Sequence, residues 1–383
     1  MEVRRPLRIE LPPEVINLAM VFAANSYQLF LVGGAVRDAV MGTKPKDFDL
    51  ATNARPDQVQ AMLKEHGYEL IAVGEAFGVI AVVLPAPLEK LEIATFREDM
   101  SAGRHPVVRF ASIKEDVQRR DLTINALFYD ISSQEVVDLV GGLADIEAGI
   151  IRTVGKPEER FAEDRLRVMR CIRFAVKLGF EIDPDTYAAI AFDNNLDGVS
   201  FERVHDELVR SIVGAKDPRR LVKLMDSLDM WVRVLPGLVS STYMDSLVST
   251  RGIDTRCVSV MLALLLDCEQ DVEVVGKRLN YLKYSADEVG QVTFLLRLRD
   301  LSAETAPKLR KAFLQSRMPE AVVQEYIVAR GLPDRAVADA FFRYLDAEPF
   351  KGEPLMARGF AGKGIGDELQ RLESELFGRL VGA

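Results

Sequence analysis

The sequence of 383 residues predicts an α+β protein: an N-terminal part with a small mixed sheet flanked by helices, then a long all-α remainder. Three observations support this. Between residues 27 and about 140 the short runs LFLVGG, DFDLAT, ELIAV, GVIAVVL, LEIATF and VVRFA have strand length and apolar content. Helix-spaced segments lie between them, such as PDQVQAMLKEHG, which Gly67 is placed to stop. Beyond about residue 150, apolar residues recur at spacings of three and four with almost no alternation, as in DRLRVMRCIRFAVKLG and CVSVMLALLLDC.

In chain order, PPEVINLAMVFAANSY reads as a helix that leads into the strand YQLFLVGG. The strands listed above follow, and DLTINALFYD has helical spacing. The glycine-rich stretch VGGLADIEAGIIRTVG, residues 140–155, is the expected hinge between the two parts. Expected boundaries are 1–145, 146–215, 216–300 and 301–383, with no internal repeat or low-complexity linker.

Composition narrows the function. Hydrophobic residues make up 48% and charged residues 28%, which is ordinary for a globular chain with full cores. Net charge is −9, against a generic nucleic-acid coater but compatible with local basic strips that hold one folded RNA. The N-terminus lacks a signal-peptide core, and MLALLL is far short of the ~18 apolar residues of a membrane span. Cys171, Cys257 and Cys268 lack metal-ligand spacing, which suits a reducing cytoplasm. His66, His105 and His205 are dispersed, so neither a zinc site nor a histidine-aspartate phosphohydrolase is legible.

The candidate chemistry begins at LVGGAVRDAVMGTKPKDFDLAT, residues 31–52. In an extended strand Asp47 and Asp49 share one face while Phe48 and Leu50 point to the core. Two ionised carboxylates this close repel unless a divalent cation lies between them, and hard oxygen ligands suit Mg²⁺. Gly33 and Gly34 lack Cβ, so a polyanion can approach their backbone N–H groups. Each element alone fits an ordinary turn or a solvated strand end; together they read as a nucleoside triphosphate site. Glu92, flanked by Leu91 and Ile93 on the opposite face, is the candidate third carboxylate of a two-metal centre, or else an edge-strand surface glutamate.

GGAVRD followed by DFDL resembles the nucleotidyltransferase head of class II tRNA nucleotidyltransferases and bacterial poly(A) polymerases. RRDLTINAL (119–127), DLVGGLADIEAGIIRTVG (138–155), EDRLRVMRCIRFAVKLGF (163–180) and ERVHDEL (202–208) match in the same order. The resemblance covers roughly residues 25 to 215 and implies a DNA polymerase β-like head, then a helical neck, body and tail. It implies template-independent synthesis of the tRNA 3′ CCA end from CTP and ATP, with Mg²⁺ as cofactor. The RNA 3′-hydroxyl would attack the α-phosphate and release pyrophosphate. Poly(A) polymerase, or a CC-adding or A-adding relative, is the alternative, and a non-catalytic RNA-binding protein a further one. No membrane or DNA partner is expected.

The resemblance implies ribose and triphosphate contacts for Arg119, Arg120, Asp121 and Asn125, with Arg170 suited to phosphate. RRDL also fits a charged helix start with Asp121 as N-cap. Arg37, next to Asp38, belongs to the first motif and is expected at the triphosphate or in a salt bridge that orients the metal acids. Arg104 and His105 mark a short flexible loop. On a helix Asp164 and Arg167 share a face, with Glu163 in support and Val168, Cys171, Ile172 and Ala175 toward a core. A carboxylate only accepts and a guanidinium only donates. Cytosine and adenine offer an amino donor beside a ring-nitrogen acceptor; uracil and guanine offer the reverse. The family gives these positions the base-reading role, and an i,i+3 surface salt bridge is the plainer use of the pair. The strips KDPRRLVK (216–223), KRLNYLKY (277–284) and KLRK (308–311) are candidate RNA contacts or solvated helix faces.

Overall fold

A computed structural model describes residues 2–382 except 46, 75–77, 87, 101–106, 251–252, 268–270, 317 and 331–334. The chain divides into two compact units, Met1–Val199 and Ser200–Ala383. Residues 146–199, assigned by sequence to a neck, therefore pack with the head. No helix among the described residues is long and apolar enough to cross a membrane.

The first unit opens with β1 (Val3–Pro6), α1 (Pro13–Ala24), β2 (Leu29–Val32), α2 (Gly34–Val40) and β3 (Asp49–Thr52). Next come α3 (Pro56–Glu65), β4 (Leu70–Gly74), β5 (Val79–Val83), β6 (Lys90–Thr95), β7 (Arg97–Asp99) and β8 (Val108–Phe110). Then follow α4 (Ile113–Gln118), β9 (Phe128–Asp130), β10 (Glu135–Asp138), α5 (Gly142–Ala148) and β11 (Ile150–Ile151). The unit closes with α6 (Pro157–Glu163), α7 (Leu166–Leu178), β12 (Glu181–Ile182) and α8 (Pro184–Phe192).

Eight strands form one mixed sheet in the order β1-β10-β9-β2-β3-β6-β5-β4. Only β3 and β6 run parallel within it; the other neighbours are antiparallel. Alternation divides the side chains between two cores. Leu29, Leu31, Leu50, Ile80, Val82, Leu91 and Ile93 pack with α1 and α3 on one face. Phe30, Val32, Ala51, Phe96 and Phe128 form the other, with Phe30, Phe96 and Phe128 rings 5.7–6.1 Å apart. Such tilted and edge-on aromatic pairs add about 0.5–1.5 kcal/mol each beyond burial.

Two expectations are corrected here. DLTINALFYD is not a helix: only Thr123–Asn125 forms a 3-10 turn, and Phe128–Asp130 is β9 between β2 and β10. Its residues are buried nearly throughout, so its spacing reports depth in the core and not a helical face. The stretch 140–155 is no hinge between the units but lies inside the first. Asp138, buried at 2% exposure, accepts from the N–H groups of Val140, Gly141, Gly142 and Leu143 at 2.9–3.1 Å and caps α5.

The second unit is helical, from Phe201–Gly214 to Lys363–Val381. Helix Val258–Leu265 is buried almost all round, and Trp231 donates from Nε1 to Val222 O at 3.2 Å. His205 of ERVHDEL bonds Glu288 at 2.9 Å, tying its helix to the capping box of Ser285 and Glu288. KLRK is not a continuous basic strip, because Arg310 is 6% exposed and paired with Glu373.

Gly142 brings α5 against the 3-10 turn: an added Cβ would lie 2.2 Å from Thr123 O. Backbone cannot yield that distance cheaply, so Gly142→Ala is expected to destabilise the first unit by about 2–3 kcal/mol. A denaturation midpoint equal to wild type would refute this packing role.

Candidate active site

The acids come first. Asp47 and Phe48 precede β3, which begins at Asp49, yet the alternation survives: Phe48 packs on the core, Leu50 is 1% exposed, and Asp47 and Asp49 are exposed. The parallel register sets Asp49 directly beside Glu92, and Glu92 lies on an interior strand, not at an edge. Leu91 and Ile93 are buried on the other face, so Glu92 shares the face of Asp49. Protein packed behind Asp49, then the charges of Glu92 and Asp47, push its carboxyl above the usual range, with Arg120 opposing. Lys90 pairs with Glu92 at 3.0 Å. Among the described residues no three acidic, cysteine or histidine side chains form a ready cage for a metal. Mg²⁺ needs none, since it takes one or two carboxylates and completes its shell with water and substrate phosphates. The mutual repulsion at Asp49 is the condition a divalent cation relieves.

Next to the acids is the glycine turn. Gly33 has φ +70°, a conformation other residues adopt only with strain, and its N–H donates to Leu127 O at 3.2 Å. The N–H groups of the first turn of α2, from Gly34 onward, have no acceptor within the helix. A Cβ on Gly34 would meet the Arg37 guanidinium at 3.5 Å.

Arg37 is 3% exposed. It donates from Nε and Nη2 to Asp38 at 2.9 and 2.6 Å and from Nη1 to Asn125 Oδ1 at 2.5 Å. Its carboxylate partner is thus Asp38, and among the described residues no ion pair joins Arg37 to Asp47, Asp49 or Glu92. The Asn125 amide donates to Asp121 at 3.5 Å, and Asp121 accepts from Arg170 at 2.6 Å. Asp38, Arg37, Asn125, Asp121 and Arg170 therefore form one chain of charge-assisted bonds joining α2, the RRDLTIN segment and α7. Asp121 is not an N-cap; it bonds the adjacent Leu122 N–H and faces α7. Burial pushes the Asp121 carboxyl up, but Arg170 and the Leu122 N–H hold it below the usual range.

Arg119 and Arg120 are both gripped by Asp116, which is 1% exposed: Arg119 at 2.8 Å on one carboxylate oxygen, Arg120 at 3.1 Å on the other. Arg120 also lies 4.5 Å from the Phe128 centroid. The sequence reading missed Asp116, although its i,i+3 and i,i+4 spacing to the two arginines was the available signal.

Asp164 and Arg167 are arranged differently from expectation. Asp164 does not share a helix with Arg167: α6 ends at Glu163, Asp164 is extended at φ −152° and ψ 104°, and α7 starts at Leu166. The Asp164 carboxylate accepts from Leu166 N–H at 3.2 Å, which favours this break over a continuous helix. Arg167 pairs with Glu163 at 2.5 Å and donates to the carbonyls of Arg160 and Arg119 at 3.1 and 2.6 Å. Arg104 and His105 lie outside the described residues.

Asp121→Asn weakens the bond to Arg170 in a buried setting and is expected to lower stability at pH 7 by about 1.5–3 kcal/mol. A depressed folded-state pKa adds stability above the unfolded value and loses it as pH falls through the folded one. The gap between variant and wild type should therefore narrow in acid, below the ordinary aspartate range. A gap independent of pH would show that the charge of Asp121 is not what stabilises the fold.

Residues 29–152 match the family described as Poly A polymerase head domain, and residues 179–241 the family described as Probable RNA and SrmB-binding site of polymerase A. Poly(A) polymerase I of Salmonella typhi is 44% identical over 174 residues, 42% of this chain and only 36% of that protein. The match thus spans about a third of that relative's length. The CCA-adding enzyme of Bacillus subtilis (strain 168) is 31% identical over 383 aligned positions, 94% of this chain and 92% of that one. Among solved structures, the Bacillus stearothermophilus CCA-adding enzyme in complex with CTP superposes with a TM-score of 0.71 at 26% identity, covering 96% of this chain and 94% of that one. With a head fold, a three-acid face and a likeness running almost end to end, the chain belongs to the family of CCA-adding enzymes and bacterial poly(A) polymerases.

Proposed function

We propose that the protein adds the 3′-terminal CCA to tRNA from CTP and ATP, without a nucleic-acid template and with release of pyrophosphate. The chemistry rests on the face shared by Asp47, Asp49 and Glu92. The choice of CCA addition over poly(A) synthesis rests on one observation: likeness to a CCA-adding enzyme runs over 94% of the chain, against 42% for poly(A) polymerase I.

Asp47 and Asp49 would hold Mg²⁺, with Glu92 beside them. Bound there, the cation supplies charge neutralisation at the triphosphate and acidifies the attacking hydroxyl. The remaining work falls to the chain. The first turn of α2 receives phosphate oxygens on backbone N–H groups, while Arg119 and Arg120, held by Asp116, keep fixed positive charge near them. Arg170 and Asp121 set the position of α7 against the RRDLTIN segment.

Base choice falls to Asp164 and Arg167 at the start of α7. Arg167 is pre-oriented by Glu163 and two carbonyls, so donor positions are fixed before a base arrives. Asp164 would accept from the amino group of cytosine or adenine. Uracil and guanine would present an acceptor to a carboxylate and a donor to a guanidinium, leaving polar groups unpaired at about 1–3 kcal/mol each. The helical second unit would hold the RNA by backbone and shape, as duplex RNA is usually read. Cys171 and Cys257 are free thiols, in keeping with a reducing cytoplasm.

The test is incubation of the protein with a tRNA transcript lacking CCA and each labelled triphosphate, singly and in pairs. Two additions with CTP and three with CTP plus ATP are expected. Asp164→Asn should raise UTP and GTP incorporation relative to CTP, because an amide can donate as well as accept. Long homopolymeric tails from ATP would instead establish the poly(A) reading, and no turnover with any triphosphate would reject catalysis.

A further inference from the structure

The second unit carries an aromatic side chain that its own fold does not bury. Helix Val272–Tyr281 ends on Tyr281, which is 56% exposed. The ring is nevertheless held. It lies 5.2 Å from the ring of Phe201, tilted by 56°, and the Arg278 guanidinium carbon sits 4.7 Å from its centroid. Arg278 is itself fixed, donating from Nε to Pro236 O at 2.7 Å. A carbonyl carries no formal charge, so that bond positions the guanidinium without neutralising it. Lys277 and Arg278 precede Tyr281 by four and three positions and share its helix face, which exposed Val274 continues one turn earlier. Lys283 follows in the left-handed region at φ +69°, where a glycine would sit without strain. Glu202 lies beside Lys283: its own backbone N–H, then Ser200 and then Lys283 hold its carboxyl below the usual range. Lys277, Arg278 and Lys283 thus gather positive charge around an exposed ring, offset by Glu202 at one edge, on a chain whose net charge is −9.

We infer that Tyr281, positioned by Phe201 and Arg278, stacks on an unpaired nucleobase of the RNA substrate, with Lys277 and Lys283 meeting the adjoining phosphates. The inference rests on the tRNA reading of the proposed function and adds a base contact to a unit taken there to hold RNA by backbone and shape. Stacking needs a base whose face is open. In a duplex both faces are covered by neighbouring pairs, so the base comes from a loop or a 3′ end. A ring already held by Phe201 and Arg278 loses little side-chain freedom when a base arrives. Every base has a π-face, so such a platform tolerates sequence change, which suits an enzyme acting on tRNAs of differing sequence. A protein partner could use the ring alone, but positive charge gathered locally on an acidic chain is complementary to phosphate.

The test is equilibrium binding of the full-length protein to three RNAs: a tRNA transcript lacking CCA, a single-stranded oligonucleotide and a blunt duplex. Tyr281→Ala is expected to weaken the transcript and the single strand by about five- to fiftyfold. Duplex affinity should not change, and Tyr281→Phe and Tyr281→Trp, which keep a ring, should bind as wild type does. The slope of log affinity against log salt should also stay the same in Tyr281→Ala, because no phosphate contact is lost. A transcript trimmed of its remaining unpaired 3′ nucleotide separates the two sources. If Tyr281→Ala no longer matters there, the stacked base is the 3′ one; if it still matters, the base lies in a loop, and either result supports the inference. Unchanged binding of all three RNAs by Tyr281→Ala would overturn it and leave the ring to a protein partner. Equal weakening of duplex and single strand would overturn it too, as would a Tyr281→Phe loss as large as that of Tyr281→Ala. A wild-type protein that binds none of the RNAs would instead remove the tRNA reading, and this inference with it.

Discussion

A guanidinium 3% exposed to solvent has to find its hydrogen-bond acceptors inside the protein, and in this fold that guanidinium is Arg37. Water is replaced by Asp38, by Asn125 and by the face of Phe174. Because Asn125 also reaches Asp121, and Asp121 holds Arg170, the solution for one buried cation determines how three separate segments meet. The glycine turn, the RRDLTIN segment and α7 are thereby locked into one relative placement. Removing a single partner from such a network leaves a charge with uncompensated desolvation, which costs far more than the bond itself contributes.

The sheet supplies the second constraint. Pairing β3 with β6 in parallel sets Asp49 beside Glu92, whereas a shift of one residue would turn Glu92 to the opposite face and into the core. Repulsion within the acid cluster is tolerated because Leu50, Ala51 and Thr52 of β3 and Leu91, Ile93 and Thr95 of β6 are buried. The first unit thus stores electrostatic strain at the acids and balanced charge at the arginines. A metal-bound triphosphate is complementary to both, bringing positive charge to the first and negative charge to the second.

Much of this was legible in the sequence, for physical reasons that also explain what was not. The Asp-Phe-Asp alternation reports its own face, because a strand has period two whatever surrounds it. Glu92 was legible by the same rule, but its neighbour Asp49 depended on a register between strands some forty positions apart. Phe128 and Tyr129 were misread as helical because a strand buried on both sides has no polar face to mark its period. The break at Asp164 was hidden because one side-chain bond to Leu166 N–H outweighs a propensity that favours continuing the helix. For Arg37 the sequence left two uses open, at the triphosphate or paired with the metal acids, and its pairing with the adjacent Asp38 bears on the second alone. The stretch 163–180 that holds Arg173 and Phe174 was itself a matched motif, but that Arg37 of α2 lies on the same ring as Arg173 follows from packing the sequence does not show.

The most direct measurement of the account is a double-mutant cycle on CTP affinity using Asn125→Ala and Arg170→Lys, which touch the network at two separate points. If the glycine turn and α7 are held as one unit through Asn125 and Asp121, the two losses will be strongly non-additive, with a coupling of about 1 kcal/mol or more. Losses that add to within about 0.5 kcal/mol would mean the two ends bind nucleotide independently, and would contradict the account.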